Sequence, residues 1–503
     1  DDLSKKYGTT ITVGNIPEDE WNKLFEKYDN FWFMGIYKPS QKGQENAKKY
    51  CEQYRYYLPD IDREKDIVSS PFAIPEYYPN PSIAKDWGEW DQMVEKLHRK
   101  EKKVFIDFVP NHTALDHPWV VSHPEYYIQG NKQQYSDHPE LFIEMTDNQG
   151  QVRYFAHGKD LYCYPWGDTL QLNYANLGLQ QRMEEELINL AKHTDGFRCD
   201  MSVLISPKIF KKTWENYLSG EEKQNLENSI PHDDKKEDLT YSFWKRVAPK
   251  LKEIELIAEA YWEIDEIKEY FDYIYNHDLY NHIKKIHNTG SIGELKSHLD
   301  YLLKKPNQTN NRWVVYTENH DENRAVETMG EKFSKPAAVL SAMIKDSIFM
   351  INQGQETGCR YHPPMQVARY RDEKINLDIS RFYDDLLSIR RSNLFQTGEI
   401  KILNSINGDQ NSILLEITKA DTKKRAIVAV NISQWTSYSE INKPETNFTI
   451  YNLTSGEKSN GDEVIDEKLI LKLEPGEVKI VCLSTVLPEN ESIPQEIKTR
   501  PYF

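Results

Sequence analysis

KVFIDFVPNH, residues 103–112, decides how this chain is read. Its first seven residues are almost continuously apolar, and the run then ends in the polar pair Asn111 and His112. A parallel strand covered on both faces has this pattern, because neither face needs polar side chains. Runs of the same kind recur at FWFMGIY (31–37), GFRCD (196–200), IELIAEA (254–260), FDYIYN (271–276), RWVVYTE (312–318) and DSIFMIN (346–352). Helical patterns lie between them, such as WGEWDQMVEKLHRK (87–100) and LQQRMEEELINLAKHT (179–194). In the second, Leu179, Met183, Leu187 and Leu190 form one apolar stripe. Repeated strand–helix units imply a (β/α)8 TIM barrel or a doubly wound sheet. Polar residues collect at the carboxyl ends of several strands, and in a barrel those ends converge on one site. No GxGxxG loop follows an early strand, so the dinucleotide fold lacks its signature.

Seven strands are read from residue 31 onward, one short of a closed barrel. The missing first strand is either TTITV (9–13) or a segment upstream of Asp1. The second option is favoured, because TTITV carries no polar residue suited to the site. The expected organisation is a barrel over residues 1–112 and 174–400, interrupted by an excursion over 113–173. That excursion follows strand 3 of the barrel (residues 103–109) and is too long for an ordinary connection. Residues 219–239 read as a charged surface loop. Beyond residue 400, SILLEITKA, KRAIVAVNIS, NFTIYNLT and EVKIVCLS are short strands between polar turns, which predicts a C-terminal antiparallel β-sandwich over 401–503.

Bulk properties narrow the function. A net charge of −17 argues against nucleic acid and against anionic membrane surfaces. Five cysteines, scattered and without a CxxC pair, argue against a disulfide scaffold or a zinc site. No apolar run is long enough to span a bilayer, and no signal peptide is visible. Cytoplasmic location is therefore the expectation, although a chain that begins with Asp1 has had an upstream segment removed or omitted.

The chemistry gathers at four strand ends. They are DFVPNH with Asn111 and His112, GFRCD with Arg198 and Asp200, AEAYW with Glu259, and TENHDENRA with His320 and Asp321. Singly, each has a bland reading as a helix cap, a surface charge or a hydrogen-bonded histidine. Together, three carboxylates about 60 residues apart, each closing a strand, suit glycosidic bond cleavage. Retaining cleavage needs two carboxyl groups about 5–5.5 Å apart, one ionised to attack and one protonated to donate. Arg198 is two residues from Asp200, on the same strand face, and favours its ionised form. Glu259 is followed by Tyr261 and Trp262, whose bulk would desolvate it and keep it protonated. The HExxH zinc spacing is absent. Ca2+ is the remaining metal option, with Asn111 as candidate ligand; no cofactor is required by the chemistry.

At these residues the chain resembles the alpha-amylase family of glycoside hydrolases. DFVPNH, GFRCD, IAEAYW and YTENHD resemble its four conserved regions in order, TLQLNY (169–174) a fifth short motif, and GQE (354–356) the segment after the last barrel strand. The resemblance implies a (β/α)8 barrel, an excursion domain B, a C-terminal sandwich and a covalent glycosyl-enzyme at Asp200. It implies Glu259 as acid/base and Asp321 as the stabilising third carboxylate. His112, Arg198 and His320 would line the subsite of the attacked sugar; Trp262, just beyond Glu259, is a further candidate for substrate binding. Phe72, in SPFAIPEYY (70–78), stands where the family normally places a stacking Tyr. The Lys-His pair that follows the nucleophile in many amylases is replaced by MSVLIS. Three functions follow: hydrolysis of α-1,4-linked glucans or maltooligosaccharides, transfer or phosphorolysis through the same intermediate, and a non-catalytic role as a transporter-associated relative. The last is opposed by the presence of all three acids. Oligomeric state is not encoded in these motifs.

Overall fold

Strands form where the sequence is continuously apolar, and helices where apolar residues recur every three to four positions. The computed structural model describes residues 2–147, 150–230, 242–289, 292–304, 312–419, 424–444, 447–458 and 462–482. They fall into two compact units. One holds the residues up to Tyr275 together with Pro363–Arg371; the other holds Asn276–His362 together with the residues from Asp372 onward.

The first unit is built on β1 (Asn30–Phe33), β2 (Lys103–Phe108), β3 (Gly196–Cys199), β4 (Glu255–Ala258) and β5 (Tyr273–Tyr275). They lie side by side in chain order, every neighbour parallel. The register sets Asp107 opposite Arg198, and Arg198 opposite Ile257. Asp200 and Glu259 therefore leave adjacent strands at the same end. β3 opens with a glycine because its neighbours come too close for a side chain. A Cβ there would sit 2.2 Å from the Phe105 ring and 2.6 Å from the Glu255 carbonyl. The helix Trp87–His98 starts at Asp86, whose side chain accepts from the Glu89 amide, and buries Trp90, Met93, Val94 and Leu97. The helix Leu177–Leu190 buries the expected stripe of Leu179, Met183, Leu187 and Leu190. Residues 9–13 (TTITV) form no strand.

The excursion leaves after β2 and is closed at its root by His112–Ala114 pairing antiparallel with Thr169–Gln171. Inside it, Gln129–Gly130, Val152–Ala156 and Phe142–Thr146 make a small antiparallel sheet in that order. Part of the expected 219–239 loop is a helix, Gly220–Asn228. Ser219 caps it by accepting from the Glu222 amide while the Glu222 carboxylate accepts from the Ser219 N–H, a reciprocal box that stabilises even a polar helix end. Residues 231–239 of that stretch lie outside the described residues.

In the second unit β6 (Arg312–Val315) and β7 (Ile348–Phe349) pair in parallel. Helices His277–Thr289, Gly293–Lys304, Ala325–Ala342 and Leu377–Arg391 accompany them. The C-terminal strands form a six-stranded and a three-stranded antiparallel sheet, and the four strands expected there all occur. The period of two along Ile413–Ile417 explains the layering. Ile413, Leu415 and Ile417 join the core of the helices, while Leu414 joins Leu469, Leu471 and Leu473 between the two sheets. Residues 483–503 of the expected 401–503 domain lie outside the described residues.

Candidate active site

The centre of the first unit is one guanidinium. Arg198 Nη1 donates to Asp200 Oδ1 at 2.7 Å, and Nη2 lies 2.5 Å from Glu259 Oε1. Its side chain is 1% exposed. The rings of Phe72, Trp32 and Tyr275 surround it, with centroids at 5.0, 5.2 and 5.8 Å. Aromatic faces attract a cation and exclude water, so its charge acts at full strength on the two carboxylates.

Glu259 is held from three sides. Besides Arg198, Oε1 accepts from the Tyr261 hydroxyl at 2.7 Å and Oε2 from the Met201 amide at 2.9 Å. That amide is aimed by a left-handed turn: Met201 has φ 37°, a conformation costly for a residue with a side chain. Burial raises the Glu259 pKa above the ordinary carboxylate range. The Arg198 charge opposes the rise, the nearby Asp200 charge adds to it, and the Met201 and Tyr261 donors oppose it. Met201 and Tyr275 escape sequence reading; Tyr261 is read there as bulk beside Glu259, whereas its hydroxyl is a donor to that carboxylate, from a position two residues beyond it.

Asp107 is a further buried carboxylate that the sequence reading passes over. Its oxygens accept from Trp32 Nε1 at 3.1 Å and from the Gly35 amide at 2.9 Å. Burial pushes its pKa up to about 7 against the pull of Arg198. Asp107 thereby holds Trp32, one of the rings around Arg198.

His112 is buried, and burial lowers its pKa to about 4, which leaves a neutral imidazole. It packs at 5.1 Å from Trp166. Gly158 passes so close that a Cβ would lie 2.9 Å from that of His112. Trp262 meets Tyr162 edge to face at 5.3 Å, and Tyr162 is 70% exposed. Asn111 is fully buried. Its Nδ2 donates to Gln171 Oε1 at 3.2 Å, and the Gln171 Nε2 donates to both its side-chain and backbone oxygens, at 3.0 and 2.9 Å.

In the second unit, His320 Nε2 lies 3.2 Å from Asp321 Oδ2, and the His320 carbonyl accepts from His362. Asn319 Oδ1 accepts from the amides of Asp321 and Glu322, which shapes the turn. The turn is anchored by a wholly buried pair, Arg324 Nη1 to Glu318 Oε1 at 2.6 Å, while Glu318 Oε2 accepts from the Ala325 amide. Arg198, Asp200, Glu259 and Phe72 thus share one cluster in the first unit; His320 and Asp321 are neighbours in the second. All five cysteines are free. Among the described residues no helix is long and apolar enough to cross a membrane.

A family model of the alpha amylase catalytic domain matches residues 80–401. Alpha-amylase 3 of Dictyoglomus thermophilum is 24% identical over 360 residues, 68% of this chain and 64% of that protein. The alpha-glucosidase of Culex pipiens is 24% identical over 315 residues, 54% of this chain and 52% of that protein. The matched regions thus span between half and two thirds of these relatives. The crystal structure of the alpha-amylase from H. orenii aligns with a TM-score of 0.64 at 18% identity, covering 94% of this chain and 95% of the other. That likeness carries the fold: a (β/α)8 barrel with an excursion domain and a C-terminal antiparallel β-sandwich. With the catalytic-domain model matching well over half its length, the chain belongs to the alpha-amylase family of glycoside hydrolases.

Proposed function

We propose that this protein is a retaining glycosidase acting on α-1,4-linked glucans or maltooligosaccharides, with Asp200 as nucleophile, Glu259 as general acid/base and Asp321 as third carboxylate. The observation that carries the reading is the pair of carboxylates sharing one buried guanidinium, Asp200 and Glu259 on Arg198. Adjacent nitrogens of one guanidinium hold the two groups close, as a double displacement needs. In the first step an Asp200 oxygen bonds to the anomeric carbon, the glycosidic C–O bond breaks, and Glu259 gives its proton to the leaving oxygen. In the second, Glu259 takes a proton from water, whose oxygen bonds to the anomeric carbon while the ester to Asp200 breaks. The raised pKa of Glu259 supports its protonated starting state. The role of Asp321 rests on its motif, YTENHD; binding sugar hydroxyls more tightly in the distorted state would lower the barrier. Neutral His112, with Phe72, His320 and Trp262, would contact the attacked sugar or its neighbours. The alpha-amylase and alpha-glucosidase names of the relatives support the α-glucan class.

Transfer to a sugar or to phosphate is the second reading. Met201–Ser206 stand in place of the Lys-His pair, so this segment carries no basic side chain for the acceptor side. Product analysis on maltoheptaose and soluble starch, wild type beside Asp200→Asn, separates the two. Shorter α-maltooligosaccharides from the wild type and none from the variant support hydrolysis. Longer chains, or turnover only with an added acceptor, support transfer. No action by the wild type on either substrate removes the α-1,4-glucan reading.

Family members commonly bind calcium. The oxygens of Asn111 do not fit one, because a nitrogen already lies against them. No step above runs through a metal.

A further inference from the structure

Three oxygens converge on one side-chain nitrogen at the root of the excursion. Gln171 Nε2 lies 2.9 Å from the Asn111 carbonyl, 3.0 Å from Asn111 Oδ1 and 3.1 Å from the Leu172 carbonyl. Gln171 and Asn111 are both 0% exposed. Neutral carbonyl and amide oxygens gathered around one buried point form the kind of surrounding that a hard cation takes. Here an amide carrying two hydrogens fills the point. The partner atom of the same amide, Gln171 Oε1, accepts from Asn111 Nδ2 at 3.2 Å, and the two backbone carbonyls, which can only accept, set the nitrogen end toward the three oxygens. The other contact of Asn111 Nδ2 is His112 Nδ1, at 3.4 Å.

We infer that the Gln171 amide is a built-in substitute for a cation. It cross-links the end of β2 to the returning strand Thr169–Gln171, so the excursion root needs no calcium at Asn111. Two features make this more than a buried hydrogen bond. The acceptors come from three separate groups on two segments, as ligands of an ion do. The same residue also closes the ladder by pairing with His112 across the hairpin. Removing the donor would strand two buried acceptors, Asn111 Oδ1 and the Leu172 carbonyl, while the Asn111 carbonyl keeps the Leu172 amide at 3.1 Å; replacing it with an oxygen would leave like dipoles facing one another. An added cation would repair only the second defect. The inference does not depend on the substrate or on the catalytic roles proposed above.

The test is thermal unfolding of the full chain, with EDTA and with millimolar CaCl2, for wild type, Gln171→Glu and Gln171→Met. The wild-type Tm is expected to agree between the two buffers to within about 1 °C, since a ligand that does not bind the native state does not shift it. Gln171→Met should melt several degrees lower in both. Gln171→Glu should melt several degrees lower in EDTA and recover in calcium, because its carboxylate joins the three oxygens around the ion. If Gln171→Glu does not fold in EDTA, the yield of folded protein on refolding with and without calcium replaces the melt, and rescue by calcium is the expected result. Two outcomes overturn the inference: a Gln171→Glu protein indifferent to calcium, or a wild-type Tm raised by calcium through an effect that Asn111→Ala abolishes.

Discussion

Replacing Arg198 tests the centre of the site most directly. Its two nitrogens serve two carboxylates, at 2.7 and 2.5 Å, and the three side chains are 1%, 10% and 3% exposed. Solvent therefore screens the interaction little. Arg198→Met removes the cation and leaves both carboxylates buried; breaking a buried ion pair from one side costs about 3–5 kcal/mol. The loss has a pH signature. Glu259 already starts protonated in the wild type; without the cation nothing offsets the burial of Asp200, so the folded variant holds a second proton that the unfolded chain releases. A folded state that binds more protons loses stability as pH rises. The deficit of the variant should thus grow from about pH 4 to about pH 7 and shrink on acidification. Arg198→Lys separates charge from geometry. A lysine ammonium lacks the planar fork that spans both carboxylates from this position, so one charged contact of about 1.5–3 kcal/mol is lost. That corresponds to about a ten- to hundredfold fall in kcat/KM on maltoheptaose. Calorimetric melts across pH and steady-state kinetics read both effects. A pH-independent deficit in Arg198→Met, or an Arg198→Lys enzyme of wild-type activity, would refute the reasoning.

Tyr261→Phe removes a donor that favours ionised Glu259, so the alkaline limb of the kcat/KM profile should move to higher pH, with kcat reduced several-fold through looser positioning. An unmoved limb would mean that the hydroxyl does not act on Glu259. Asp107, with its pKa raised to about 7, favours folding less as pH climbs from the ordinary carboxylate range toward 7, at about 1.4 kcal/mol for each unit. Asp107→Asn cannot ionise, so its Tm relative to wild type should improve over that interval; a flat difference counts against a buried, protonated Asp107. Arg324→Met should cost about 3–5 kcal/mol by stranding Glu318, and adding Glu318→Gln should return part of it. Denaturant melts of the single and double variants measure that coupling.

The strands and the charged residues that end them were legible because both are local. A strand buried on two faces has to read as a continuous apolar run, and the residue that leaves such a run toward solvent or ligand has to break it. That is how β1 to β7, Asp200 and Glu259 could be read from single stretches. The helix Gly220–Asn228 was also local, written in Ser219 and Glu222, but its charge disguised it as a loop. The rest depends on register. Nothing within KVFIDFV says that Asp107 will lie across from Arg198, since that follows from a pairing between residues 91 positions apart. The amide of Met201 reaches Glu259 only through a left-handed turn that no single residue type announces.

One clue to this hidden layer was nevertheless present in the opening stretch. A carboxylate inside a run buried on both faces cannot stay charged without partners, so Asp107 had either to keep a proton or to find donors. The structure answers with both. Trp32 and Gly35 donate, and the pKa is pushed up to about 7. Asp107 and the Asp200–Glu259 pair face the same guanidinium. The cation can favour one carboxylate fully only if another yields. A protonated Asp107 yields, which leaves more of the Arg198 charge for the carboxylates at the strand ends. A charged residue within a continuously apolar strand is on this argument a sign of a buried electrostatic network, even when it lies too deep to touch a substrate.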